Sequence, residues 1–166
     1  MRQPLLALAS LAFSSAVTAA TIEDLERQLV QARDAAPMEV TPFLAVSKPA
    51  GYFGDYEPRK DKTYSRGEKL LFYGEPKNLI YPKNAKGQFE PAFDVDVEIS
   101  GPGGQSMKKT KLVSFRLPTR SRAQDIFLNL ELSLTSAPPG KYNIKFIVRD
   151  LNSKKSAAVD TDVTLK

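Results

Sequence analysis

The chain has 166 residues, with 24 Lys and Arg against 19 Asp and Glu, and contains no histidine, cysteine or tryptophan. Without His or Cys, neither Ser-His-Asp and Cys-His nucleophilic sites nor the usual zinc ligand sets can be built. Disulfides and a lipid anchor on cysteine are excluded with them.

Arg2 is followed by the uncharged apolar run Leu5 to Val17 and by the small residues Val17-Thr18-Ala19-Ala20. This order of a basic residue, an apolar stretch and a small-residue site predicts a signal peptide over residues 1–20, cleaved after Ala19 or Ala20. The expected location is the periplasm or, alternatively, the medium. An apolar run of roughly thirteen residues falls short of the ~20 needed to cross hydrocarbon. No later segment approaches that length, so the mature chain is expected to have no membrane span. What remains is long enough for one domain to bury about two-thirds of its unfolded surface without covalent staples.

Thr21-Ile22-Glu23-Asp24 reads as an N-cap with an acid three residues on, a pattern that satisfies orphan N–H groups and suits the positive helix end. Ile22, Leu25, Leu29 and Ala32 then recur at helical spacing until Pro37 ends the pattern. The spacing predicts a short amphipathic helix over 21–36, and a helix of this length is expected to pack on its own domain.

From Val40 the period becomes two, and residues 40–166 are expected to form an all-β, immunoglobulin-like antiparallel sandwich of about seven strands. The first strand is placed near Phe43 to Ser47. Next comes "GYFGDYEPRKDKTYSRGE", Gly51 to Glu68, which holds three tyrosines, a phenylalanine and mixed charge. Gly51, Gly54 and Gly67 mark bends, and Pro58 disfavours a central strand. The stretch is therefore expected to cross over an edge of the sandwich, with Tyr52, Phe53, Tyr56, Arg59 and Tyr64 as candidate ligand contacts.

Further strands are expected at Lys69 to Tyr73, Phe93 to Ile99, Lys108 to Phe115, Ile126 to Leu134, Tyr142 to Val148 and Ala157 to Leu165. Between Phe93 and Ile99 the apolar residues alternate with Asp94, Asp96 and Glu98, so a pleated strand is expected to bury the first set and expose the acids. Such carboxylates could seat a glycosidase pair or bind calcium, but pairing with cross-strand Lys or Arg is the simpler expectation. The same holds for Asp160 and Asp162. The segment Gly101 to Gln124 carries Lys108, Lys109, Lys111, Arg116, Arg120 and Arg122 with no acid. In an exported protein this favours an anionic glycan, a lipid head group or an acidic envelope protein as partner and not nucleic acid. Gly140 two residues before Tyr142 predicts a tyrosine corner, a structural device of sandwich domains.

In their order, the leader, the helix, "GYFGDYEPRKDKTYSRGEKLLFYGEP", "FRLPTRSRAQDIFLNLELSL" and "PPGKYNIKFIVRD" resemble uncharacterised exported bacterial proteins, mainly Gram-negative, that carry an immunoglobulin-like sandwich. The likeness covers most of Gly51 to Leu165 and implies a periplasmic β-sandwich, with no activity or catalytic residues attached. The expectation is a non-enzymatic binding module of the envelope with no cofactor, metal or catalytic residue. The alternatives are a carbohydrate-recognising sandwich, with Tyr52, Phe53 and Tyr56 stacking on sugar, and a carboxylate-dependent glycosidase.

Overall fold

The structure is a computed structural model describing residues 20–166. Apart from Ala20, the expected signal peptide lies outside the described residues. The helix α1 runs Ile22–Ala35, with Thr21 and Asp24 forming the reciprocal capping box. Eight strands follow: β1 (Glu39–Ala45), β2 (Thr63–Tyr64), β3 (Lys69–Lys77), β4 (Ala92–Ser100), β5 (Ser106–Arg116), β6 (Leu128–Ser133), β7 (Gly140–Asp150) and β8 (Ser156–Leu165). They make a three-stranded sheet, β1-β3-β6, and a five-stranded sheet, β2-β8-β7-β4-β5. All pairings are antiparallel except the two-residue parallel pair of β2 with the end of β8. The molecule is thus mostly β, with a sandwich-like packing of two sheets.

The core follows the alternation in the sequence. Leu70 and Phe72 of β3 and Leu128, Leu130 and Leu132 of β6 meet Phe93, Val95, Val97 and Ile99 of β4 and Tyr142, Ile144, Phe146 and Val148 of β7. Each such side chain contributes about 1.5–3 kcal/mol on burial. Phe43 and Phe72 from one sheet contact Phe146 from the other at 5.5 and 5.2 Å between ring centroids. The tyrosine corner forms as expected. Tyr142 donates from its hydroxyl to the Pro138 carbonyl at 2.7 Å. Gly140 has φ +147, and a Cβ there would meet Pro102 at 2.4 Å.

Three expectations are corrected. The acids of β4 are not an exposed row: Asp94 is 4% and Asp96 2% exposed. Arg149 of β7 grips Asp96 with both terminal nitrogens. On the other flank β5 bulges between the pairs Val95–Val113 and Val97–Lys109, Lys111 adopts φ +52, and its N–H donates to Asp96 Oδ1 at 2.8 Å. Asp94 accepts from the Ser114 hydroxyl at 2.7 Å. Flanking strands therefore roof two carboxylates that point away from the core, and the expected cross-strand pairing is present. Second, α1 does not pack its stripe on the domain: Ile22, Leu25 and Leu29 are 69%, 50% and 50% exposed, and no helix residue is buried. Only its last turn is tied down, through Arg33 to Gln124 and Asp34 to Arg122. Third, the crossing from Gly51 divides: its first half covers the outer face of the three-stranded sheet, and its second half forms β2 on the edge of the five-stranded sheet, as expected.

Candidate functional site

The site is built on the outer face of β1, β3 and β6. Val46 extends β1 by donating to the Leu71 carbonyl. The chain then leaves the sheet and comes back, with Ser47 N–H bonded to the Glu57 carbonyl at 3.0 Å and Arg59 N–H to the Ala45 carbonyl at 2.9 Å. A Val46–Pro58 bridge closes this stem. What lies between is a loop, and its anchors are side chains of the sheet beneath it.

Asn129 of β6 accepts from Ala50 N–H at 2.9 Å and donates back to the Ala50 carbonyl at 2.8 Å. Asp55 accepts from Gly51 N–H at 3.1 Å, closing the tip on itself. Gly54, at φ +79, a conformation that favours glycine, donates to the Tyr73 hydroxyl at 2.8 Å, and that hydroxyl donates to Glu75 Oε1 at 2.9 Å. Tyr73 is fully buried between Tyr56, at 4.7 Å, and Phe127, at 5.8 Å. Burial pushes the Tyr73 phenol up to about 12; the Gly54 N–H pulls it down, and the Glu75 carboxylate adds to the rise. Glu75 is 7% exposed. It sits opposite the bulge at Thr41-Pro42 of β1, and no cation pairs with it among the described residues.

This scaffold holds Tyr52 and Phe53 outward, at 68% and 38% exposure. Of the five candidate contacts, these two form the open tip, and Tyr56 is half-buried as a packing support. Arg59 and Tyr64 belong elsewhere. Tyr64, in β2, is fully buried in the core, and its hydroxyl has no hydrogen-bond partner. The Arg59 guanidinium lies 4.1 Å from the Tyr64 ring centroid, bonds Glu68 at 2.6 Å and donates to the Thr63 and Asp61 carbonyls. This cluster fastens the crossing to the sandwich below the loop. Sequence reading missed Tyr73, Glu75, Phe127 and Asn129. The available signal was their place on the strand face opposite Phe72 and Leu128.

The acids singled out on β4 and β8 each have a partner within the sheet. Asp94 and Asp96 are engaged as described, Glu98 binds Lys108 at 2.7 Å, and Asp162 accepts from the Asn143 amide at 2.8 Å. Among the described residues no three of His, Cys, Asp and Glu gather in a way that could hold a metal ion, and no helix is long and apolar enough to cross a membrane.

No family model matches the chain, and no curated protein matches it. Among solved structures the chain is similar to Spo0M, a sporulation control protein from Bacillus subtilis, with a TM-score of 0.41 and 9% identity. The match covers 79% of this chain and 50% of that one, so the chain spans about half the length of Spo0M.

Proposed function

We propose that the chain is a non-enzymatic, exported binding module of the cell envelope, an immunoglobulin-like sandwich that engages a partner protein through the loop tip Tyr52-Phe53. The observation that carries this reading is two adjacent exposed aromatics on a loop fastened to the sheet through Ala50 and Gly54. Aromatic anchors on a pre-ordered loop lose little conformational freedom on binding, and such residues dominate interface energetics. The leader at residues 1–20 supports export to the periplasm, and the alternation along β4, β6, β7 and β8 supports the immunoglobulin-like pairing.

Site-specific photo-crosslinking in intact cells tests it. A crosslinker at position 52 or 53 is expected to capture one defined envelope protein, and a crosslinker at Lys154 on the β7–β8 turn is expected to capture none. Capture of nothing at 52 and 53, or of the same species from all three positions, overturns the reading. Carbohydrate recognition by the same tip is distinguished on a glycan array: a signal abolished by Tyr52→Ser/Phe53→Ser moves the partner class from protein to sugar.

A further inference from the structure

Where the end of α1 meets the sandwich, a cavity of about 210 Å³ opens among the last helical turn, the segment that follows β3 and the loop before β6; its polar lining is Arg33, Lys77, Asn78, Tyr81, Arg122 and Gln124. Three of these six are cations and none is an acid. The Arg33 guanidinium bonds only the neutral Gln124 amide. Lys77 has no acidic partner among the described residues. Arg122 is paired with Asp34 at 3.1 and 3.3 Å, and its guanidinium carbon lies 5.3 Å from the Tyr81 ring centroid and 5.6 Å from that of Phe89. Among the described residues Arg122 alone of the three is in an ion pair; Glu39 stands opposite Lys77 in the β1–β3 register, and Asp125 and Asp150 act on the Tyr81 phenol against Arg122 and Arg33, but the lining itself carries three cations and no acid.

The helix end itself would oppose an anion, because its last carbonyls carry partial negative charge. Lys155 removes that obstacle by placing its ammonium on the carbonyls of Arg33, at 3.2 Å, and Asn78, at 3.1 Å. The bonds to Gln124 and Asp34 leave most guanidinium donors unused, and a planar fork of N–H groups matches an oxyanion with several oxygens. The cavity has room for more than a bare oxyanion, which favours one carried on a larger group.

We propose that this cavity binds a phosphomonoester, with Arg33, Lys77 and Arg122 as its contacts. It is a second site, distinct from the aromatic tip, and it uses the C-terminal end of the basic run between Gly101 and Gln124.

Titration calorimetry of the purified protein at low salt, with inorganic phosphate, glucose 1-phosphate and phosphatidylcholine vesicles containing phosphatidic acid, tests it. Saturable binding of glucose 1-phosphate is expected, weakened on the order of tenfold in Arg33→Gln/Lys77→Gln and reduced by added salt. That double variant breaks no carboxylate pair, so it keeps the fold that Arg122→Gln puts at risk, and Tyr52→Ser/Phe53→Ser should bind as wild type does. Binding to the vesicles but not to the soluble ester assigns the phosphate to a lipid headgroup, and the reverse assigns it to a soluble or glycan-borne ester. No binding of any probe, or equal binding by Arg33→Gln/Lys77→Gln, overturns the proposal.

Discussion

The loop of residues 48–56 and the helix α1 are both additions laid beside the two sheets, and both display apolar side chains. They are held in opposite ways. The loop is fastened from below at Ala50 and Gly54, and it buries Val46, Ala50 and Tyr73 in a small second core with Tyr56 and Phe127 around it. No helix residue is fully buried, and the helix is bonded to the sandwich through its last turn. A capping box and the Arg27–Asp24 pair support its geometry locally. An apolar pattern thus states which face a segment would bury. Whether it is buried depends on polar anchors and aromatic rings that the other elements supply.

Removing the largest of those supports should erase the difference between the two regions. Tyr73→Ala deletes the ring between Tyr56 and Phe127 and strands both the Gly54 N–H and Glu75, and it is expected to cost about 3–5 kcal/mol in urea unfolding. A cost under about 1 kcal/mol would mean that the loop is no better anchored than the helix. A smaller effect is expected below the loop. Arg59→Ala removes the contact with Tyr64 and the pair with Glu68, for about 1–2 kcal/mol.

The same substitution should alter the acid side of the stability profile. The Ser65 N–H, at 2.8 Å, holds Glu68 below its ordinary range; burial works against this, and Arg59 adds to the lowering. A depressed carboxylate contributes stability above its unfolded value, about 4.3, that is lost as the pH falls through its folded value. Melting temperatures of the wild type should therefore drop more steeply below about pH 4.3 than those of Arg59→Ala, and parallel curves would remove this assignment. The smallest effect belongs to the helix. Deleting residues 21–36 loses the partly exposed Asp34–Arg122 pair and should cost no more than about 1 kcal/mol. A loss above about 3 kcal/mol would show that the stripe of Ile22, Leu25 and Leu29 is buried after all.

Strands with one face on the core were legible in the sequence because a period of two reports burial directly: Leu128, Leu130 and Leu132 of β6 and Tyr142, Ile144, Phe146 and Val148 of β7 lie where the alternation puts them. The N-cap at Thr21 was legible for a similar reason, since its partner Asp24 is three residues away. What failed to show was non-local. Asp94 and Asp96 alternate with apolar residues as exposed acids do, yet Arg149 and the β5 bulge close over them from neighbouring strands. Tyr64 looked like a surface aromatic in a polar stretch, and only its pairing with Leu165 at the far end of the chain reveals it as core. At the site, Tyr52 and Phe53 could be picked out by composition. Alternation places Tyr73, Glu75, Phe127 and Asn129 only on the outer strand face; their role exists once the loop lies across them.

The bulge at Lys111 bears on how the protein lives among copies of itself. β5 is one edge of the five-stranded sheet, opposite the edge made by β2 and β8, and a long, flat free edge invites another chain to add its own strand. Here an approaching chain meets the exposed Lys108, Lys109 and Lys111 on a backbone drawn out of register where Asp96 holds it. By holding that bulge, the buried Asp96 carboxylate makes this edge a poor template for strand addition, a consequence that reaches beyond its pair with Arg149.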